Sequence, residues 1–231
     1  MDHATRPAPV PRDKSRQAAA HVFEVLREEI ISLALPPGTP LLRPVLQERF
    51  GLSSTPIRDA LLRLQEEGLV EIFPQHTTIV SLIDVESARQ AQFLRRALET
   101  EIARVLSEAA DAALVSALRS IIDQQEWAAK RNDLARFWDL DLAFHAAMYR
   151  AAGIPDLWAT VRRQNGQIDR LRHLHLPVEG KTQQVVDDHT AIVSAIETGD
   201  ALRAQGCVSE HLSKSIAYSP IMRQQHPRYF R

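Results

Sequence analysis

Between Pro74 and Gly153 the chain runs for 78 residues, 75–152, without one glycine or proline. The turns of β-rich folds depend on those two residue types, so a sandwich or barrel across this window is excluded. Apolar residues make up 45% of the chain, which also argues against disorder there. Apart from its first few residues, the window must be helical. At 231 residues the length exceeds one typical domain, so two unequal domains are expected.

Other classes fall to equally simple observations. No apolar run reaches about 18 residues, so no transmembrane helix is expected. Residues 1–14 carry Pro7, Pro9 and Pro11 and no apolar segment, and read as a disordered leader, not a secretory signal. Cys207 stands alone, which forbids an internal disulfide and places the chain in a reducing cytoplasm. The formal net charge is −1, and residues 1–82 hold 9 basic against 10 acidic groups. Bulk charge therefore gives no support to nucleic-acid binding; such a reading has to rest on motif geometry.

Residues 15–82 supply that geometry. Ser15 can cap a helix whose positions Val22, Leu26, Ile30 and Leu33 keep a helical spacing, and Leu35-Pro36-Pro37-Gly38 ends it. A short helix over 43–50 stops at Gly51. A third follows, with Thr55 as cap, Pro56 in its first turn, Ile57, Leu61 and Leu64 facing inward, and Gly68 closing it. Two extended pieces, 69–73 and 77–81, are joined by Pro74-Gln75-His76. Three helices and a small hairpin outline a winged helix-turn-helix.

The remainder, 83–217, reads as an all-α antiparallel bundle of six helices near 84–108, 110–130, 133–152, 155–173, 182–198 and 200–216, before a polar, loose tail at 218–231. The third carries a stripe at 134, 138, 141, 145, 148 and 152, where Asp141 and His145 replace apolar residues. Their i,i+4 spacing puts both on one face. His189 lies in the stripe of Val185, Ile192 and Ile196, and His211 lies with Val208 and Leu212. One carboxylate and three imidazoles thus point into a helical core. Spacing admits both a metal site for Zn²⁺, Ni²⁺ or Mn²⁺ and a set of hydrogen-bonded core residues. Arg95, four residues before Glu99, is either a partner for a small anion or half of a solvated ion pair. The aromatics Trp127, Phe137, Trp138, Phe144, Tyr149 and Trp158 read as core, and His173 and His175 as a solvated helix end before Pro177.

Two independent motif sets then occur in order. Leu35-Pro36-Pro37-Gly38, Phe50-Gly51-Leu52-Ser53-Ser54-Thr55-Pro56-Ile57-Arg58-Asp59-Ala60-Leu61 and Glu67-Gly68-Leu69-Val70 resemble the winged helix of the GntR family of bacterial transcription factors. Leu94-Arg95-Arg96-Ala97-Leu98-Glu99, Asp141-Leu142-Ala143-Phe144-His145, Asp188-His189 and His211-Leu212 resemble the FCD effector domain of its FadR-type branch, in the six-helix, VanR-like form. The resemblance implies that Asp141, His145, His189 and His211 hold a divalent metal and that Arg95 reaches the effector, a small organic acid. It further implies a cytoplasmic homodimer on a pseudo-palindromic operator, with no membrane partner. Arg43, Ser54, Thr55 and Arg58, and His76 and Thr77 of the wing, would lie at the DNA. The chain departs from the family pattern mainly in the DNA-binding part: Ser54 stands where an Arg is usual, Leu42-Arg43-Pro44 unsettles the second helix, and Thr77 replaces the glycine of the wing tip; in the effector domain Ile154 stands where an Asn is common. Arg43 and Arg63 offer compensating charge. Two alternatives use the same residues: a metal-dependent enzyme acting on a small carboxylate, and a regulator with weakened DNA reading that works through a partner protein.

Overall fold

The structure, a computed structural model, describes residues 11–73 and 77–231. It divides into two compact units, Met1–Leu82 and Ile83–Arg231. The first has helices α1 (Pro11–Ile31), α2 (Arg43–Phe50) and α3 (Ser54–Glu66), then strands β1 (Val70–Ile72) and β2 (Thr78–Val80). The strands pair antiparallel, Val70 opposite Val80 and Ile72 opposite Thr78. Ile57, Leu61 and Leu64 on α3 are fully buried against Val22, Leu26 and Ile30 of α1. Each such side chain contributes about 1.5–3 kcal/mol of burial free energy.

Two expected boundaries move. Helix α1 is described from Pro11 onward, so residues 11–14 of the segment expected to be a leader are helical and Ser15 lies within the helix. After Pro11 no glycine or proline occurs until Pro36. Residues 1–10 of that leader lie outside the described residues. Helix α3 starts at Ser54 with Ser53 as its cap residue, so Thr55 is in the first turn and caps nothing. Ser53 makes no side-chain cap bond. The N3 position it would reach is Pro56, which has no N–H to offer. Gly51, at φ 63°, closes α2 through left-handed backbone that glycine adopts without strain.

The second unit is helical, as the sequence indicates. It comprises α4 (Val85–Ala109), α5 (Ala112–Lys130), α6 (Leu134–Ala151), α7 (Pro155–Gln164), α8 (Gly166–His175), α9 (Lys181–Glu197) and α10 (Ala201–Gln225). Asp84, Asp111, Asp133 and Asp200 each accept a backbone N–H of the turn that follows, which fixes the starts of α4, α5, α6 and α10. The apolar core runs through Ile102, Leu118, Phe137, Phe144, Met148, Ile192 and Val208. Seven helices stand among the described residues where six were expected. The helix expected over 155–173 is interrupted at Asn165 and Gly166, both poor helix formers.

The segment expected to be a loose tail is ordered. Helix α10 continues to Gln225, and a single 3₁₀ turn follows at Pro227–Tyr229. Phe230 is buried beside Ile83, Ala88, Ala91, Ile168, Leu171 and Met222. Ile83 N–H donates to Tyr229 C=O (2.7 Å), Arg231 N–H donates to Ile83 C=O (3.3 Å), and the Arg231 guanidinium pairs with Asp84. The C-terminus is thus pinned to the first residues of its own unit. No helix among the described residues is long and apolar enough to cross a membrane.

Candidate metal centre and nucleic-acid interface

Helix α6 puts Asp141 and His145 one turn apart on its buried face, α9 contributes His189, and α10 contributes His211. One donor atom from each lies within 4.8 Å of the other three. Ligands held about 2.0–2.2 Å from a shared ion stand about 3–4.4 Å apart, so the quartet is slightly wider than a filled site. The three imidazole centroids are 4.7 to 5.5 Å from one another. Phe144 stacks on His189 at 3.9 Å and closes one side.

Each of the four has an outer partner that turns it. His189 Nδ1 is 2.8 Å from Gln125 Oε1, and His211 Nδ1 is 3.2 Å from Asp188 Oδ2. His145 Nδ1 lies 2.8 Å from Glu99 Oε2, off the line of an ideal hydrogen bond. Arg172 pairs with Oδ2 of Asp141, while Oδ1 faces His189 Nε2 at 3.8 Å. The Nε2 atoms of His145 and His189 are buried and make no hydrogen bond among the described residues. Buried polar nitrogens are seldom left this way, and imidazoles oriented through Nδ1 are the usual form of a metal ligand. The donor set fits a divalent ion that accepts nitrogen and oxygen ligands.

The electrostatics agree with that fit. Burial, with repulsion from neighbouring imidazoles, pushes His211 down to about 4 and His189 well below its ordinary value, so both rings are neutral and carry a lone pair. Burial alone would raise Asp141, but Arg172 and the imidazoles hold its carboxyl well below the usual carboxylate range. Asp141, His189 and His211 are therefore in the protonation states a cation requires.

Arg95 is 2% exposed and donates to Glu99 at 2.8 Å. The i,i+4 pair is real, but it is buried, not solvated. Burial raises Glu99, yet Arg95 and His145 overcome this and hold it far below the carboxylate range. Arg95 also lines a small cavity with Gln92, Arg172, Lys181, His211 and Ser215. Gln125, Arg172 and Lys181 escaped the sequence reading. A signal for the first existed, since Gln125 falls on the buried stripe Val115, Leu118, Ile122 of α5.

Two other expectations change. Trp127 is 54% exposed beneath Arg131, whose guanidinium is 4.3 Å from the ring, so it is not core. His175 is buried and stacked on Tyr218 at 4.0 Å, and His173 lies 4.0 Å from Trp138. Burial pushes both imidazoles down to about 4; neither is a solvated helix end.

In the first unit, Ser54, Thr55 and Arg58 are exposed at the N-terminal end of α3, and Arg43 is exposed at the start of α2. Arg58 pairs with its neighbour Asp59 at 3.4 Å among the described residues. Arg63 lies 3.9 Å over the Phe23 ring, which ties its charge to the protein. Thr77 precedes β2 and is half-buried, and His76 lies outside the described residues.

Comparison with known proteins places both units. Residues 18–80 match the family described as bacterial regulatory proteins, gntR family, and residues 90–214 match the FCD domain. An uncharacterised HTH-type transcriptional regulator in an unstable DNA locus of Streptomyces ambofaciens is 35% identical over 83% of this chain and 80% of its own length. The HTH-type transcriptional repressor RspR of Escherichia coli is 27% identical over 90% of this chain and 92% of its own. The solved structure of E. coli McbR/YncC superposes with a TM-score of 0.73 at 21% identity, covering 90% of this chain and 98% of that one. That likeness shows a shared fold.

Proposed function

The chain belongs to the GntR family of bacterial regulatory proteins, FCD type, and we propose that it represses transcription until a small organic acid binds a metal held by Asp141, His145, His189 and His211. As a family member it is a DNA-binding transcriptional regulator, and its relatives are regulators, not enzymes. The observation that carries the metal half is the convergence of Asp141 and three buried imidazoles within 4.8 Å, with the Nε2 atoms of His145 and His189 buried and without a hydrogen bond.

In this reading Zn²⁺, Ni²⁺ or Mn²⁺ supplies open coordination positions to which a carboxylate can bind. Glu99, Gln125, Asp188 and Arg172 hold the donors in place. Arg95 keeps Glu99 ionised and so acts on the acid site from behind it, through His145. The exposed Ser54, Thr55 and Arg58 enter a major groove with α3, and Arg43, His76 and Thr77 lie against the backbone or minor groove. Two copies in the cytoplasm read a pseudo-palindromic operator.

The proposed coupling would run through α8. Helix α8 carries Arg172, which holds Asp141, and five residues earlier Gln167, whose Oε1 accepts Asp84 N–H at 3.2 Å. Asp84 follows the DNA-binding unit by two residues. A ligand that shifts Arg172 would thereby act on the segment entering α4, which is coupling between two sites.

Metal analysis of the purified full chain tests this proposal. Wild type should hold about one divalent ion per chain. Asp141→Ala combined with His189→Ala should hold none and keep its helical circular dichroism. A wild-type protein free of divalent metal, or a double variant that retains it, would rule the proposal out.

A further inference from the structure

The face of α3 that points away from the core has a leucine at its centre. Pro56, Ile57, Ala60, Leu61 and Leu64 form the buried side of this helix. At about 100° per residue, position 62 falls opposite that group. Leu62 stands there, 42% exposed. It follows Thr55 by seven residues and Arg58 by four, so the three side chains share one stripe. The stripe is about 10 Å long, and a major groove is about 12 Å wide.

A single exposed leucine is ordinary on a protein surface. Here the leucine lies among residues proposed to meet DNA, and the charges beside it are partly engaged. Arg58 pairs with Asp59, and Arg63 is drawn over the Phe23 ring. Residues 1–82 hold 9 basic and 10 acidic groups, so bulk attraction to phosphate contributes little. Discrimination therefore falls on close contacts along the stripe.

The leucine side chain neither donates nor accepts a hydrogen bond. Among the base edges of a major groove, only thymine presents a methyl group. Packed on that methyl, Leu62 removes apolar surface from water on both partners. Packed on a cytosine amino group or a purine N7, it would strip water from a polar atom and return nothing. The side chain thus favours one base and penalises the others.

We propose that Leu62 is a specificity-determining residue of DNA binding, which selects a thymine in the operator through its 5-methyl group. The inference rests on α3 entering the major groove, as read above, and Arg58 tests that premise separately.

An operator fragment selected with the full-length chain would be scanned by replacing each thymine in turn with uracil. That change deletes the methyl and keeps the hydrogen-bonding groups. In competition binding, wild type should lose about fourfold in affinity at one or more thymines, the worth of one buried methyl. In Leu62→Ala the loss at such a thymine should fall below about 1.5-fold, a coupling that the double-mutant cycle isolates. Leu62→Met, which keeps an apolar side chain of similar volume, should retain the effect. Both variants alter an exposed position and should melt as wild type does. A wild type indifferent to every uracil, or a methyl effect undiminished in Leu62→Ala, overturns the proposal. If the scan is flat but Arg58→Ala weakens binding, α3 still enters the groove and only the role of Leu62 falls. If Arg58→Ala then also binds as tightly as wild type, or if no fragment is selected, the placement of α3 falls with it.

Discussion

Gln125 shows how far single residues could be read from the sequence. Asp141, His145, His189 and His211 were legible because each interrupts an apolar stripe of helical spacing, and the structure gathers them within 4.8 Å. Gln125 interrupts a stripe in the same way and was legible by the same rule, yet a neutral amide suggests no chemistry until it is seen beside His189. Arg172 and Lys181 were not legible. Their meaning depends on which side of a helix break or a helix start they fall, and periodicity is silent there. Because Gln125 fixes the ring of His189 through Nδ1, Gln125→Leu should weaken divalent-metal affinity about 10- to 100-fold. Competition against a chelating dye would measure it, with Gln125→Glu expected to restore binding. Unchanged affinity in Gln125→Leu would mean that the contact does not orient the ring.

At the scale of elements, the long amphipathic helices were predictable and their interruptions were not. The cap residues Asp84 and Asp200 fix two helix starts within a residue or so of where the pattern placed them. The break at Asn165 gave no sign in the apolar pattern, since both halves keep a buried face, with Val161 in α7 and Ile168 and Leu171 in α8. The tail misled for a different reason. Its residues are mostly polar, but Met222 and Phe230 find apolar partners around Ile83 that only the tertiary fold provides. Phe230→Ala should therefore cost the second unit about 3 kcal/mol and lower its melting temperature by several degrees. Thermal unfolding followed by circular dichroism decides the matter; a melting curve identical to wild type would mean that the C-terminus is not held in solution.

At the scale of the whole molecule, two units of different character serve one output. The 78-residue window that excludes β folds begins at the wing and ends within the second unit, so a single compositional fact spans both. In the first unit the absent glycine leaves Thr77 beside the wing; in the second it permits the uninterrupted α4, α5 and α6 that carry Arg95, Gln125, Asp141 and His145. In the proposed function, an acid reaching the metal changes DNA binding through this one chain. The most direct measurement is fluorescence anisotropy of an operator fragment, selected with the protein itself, against metal-loaded full-length chain. An added small organic acid that binds the protein should weaken DNA binding about 5- to 150-fold, the span of ordinary coupling energies, and chelation of the metal should abolish that response. A response that persists unchanged after chelation, or DNA affinity indifferent to every acid that binds, would contradict the account.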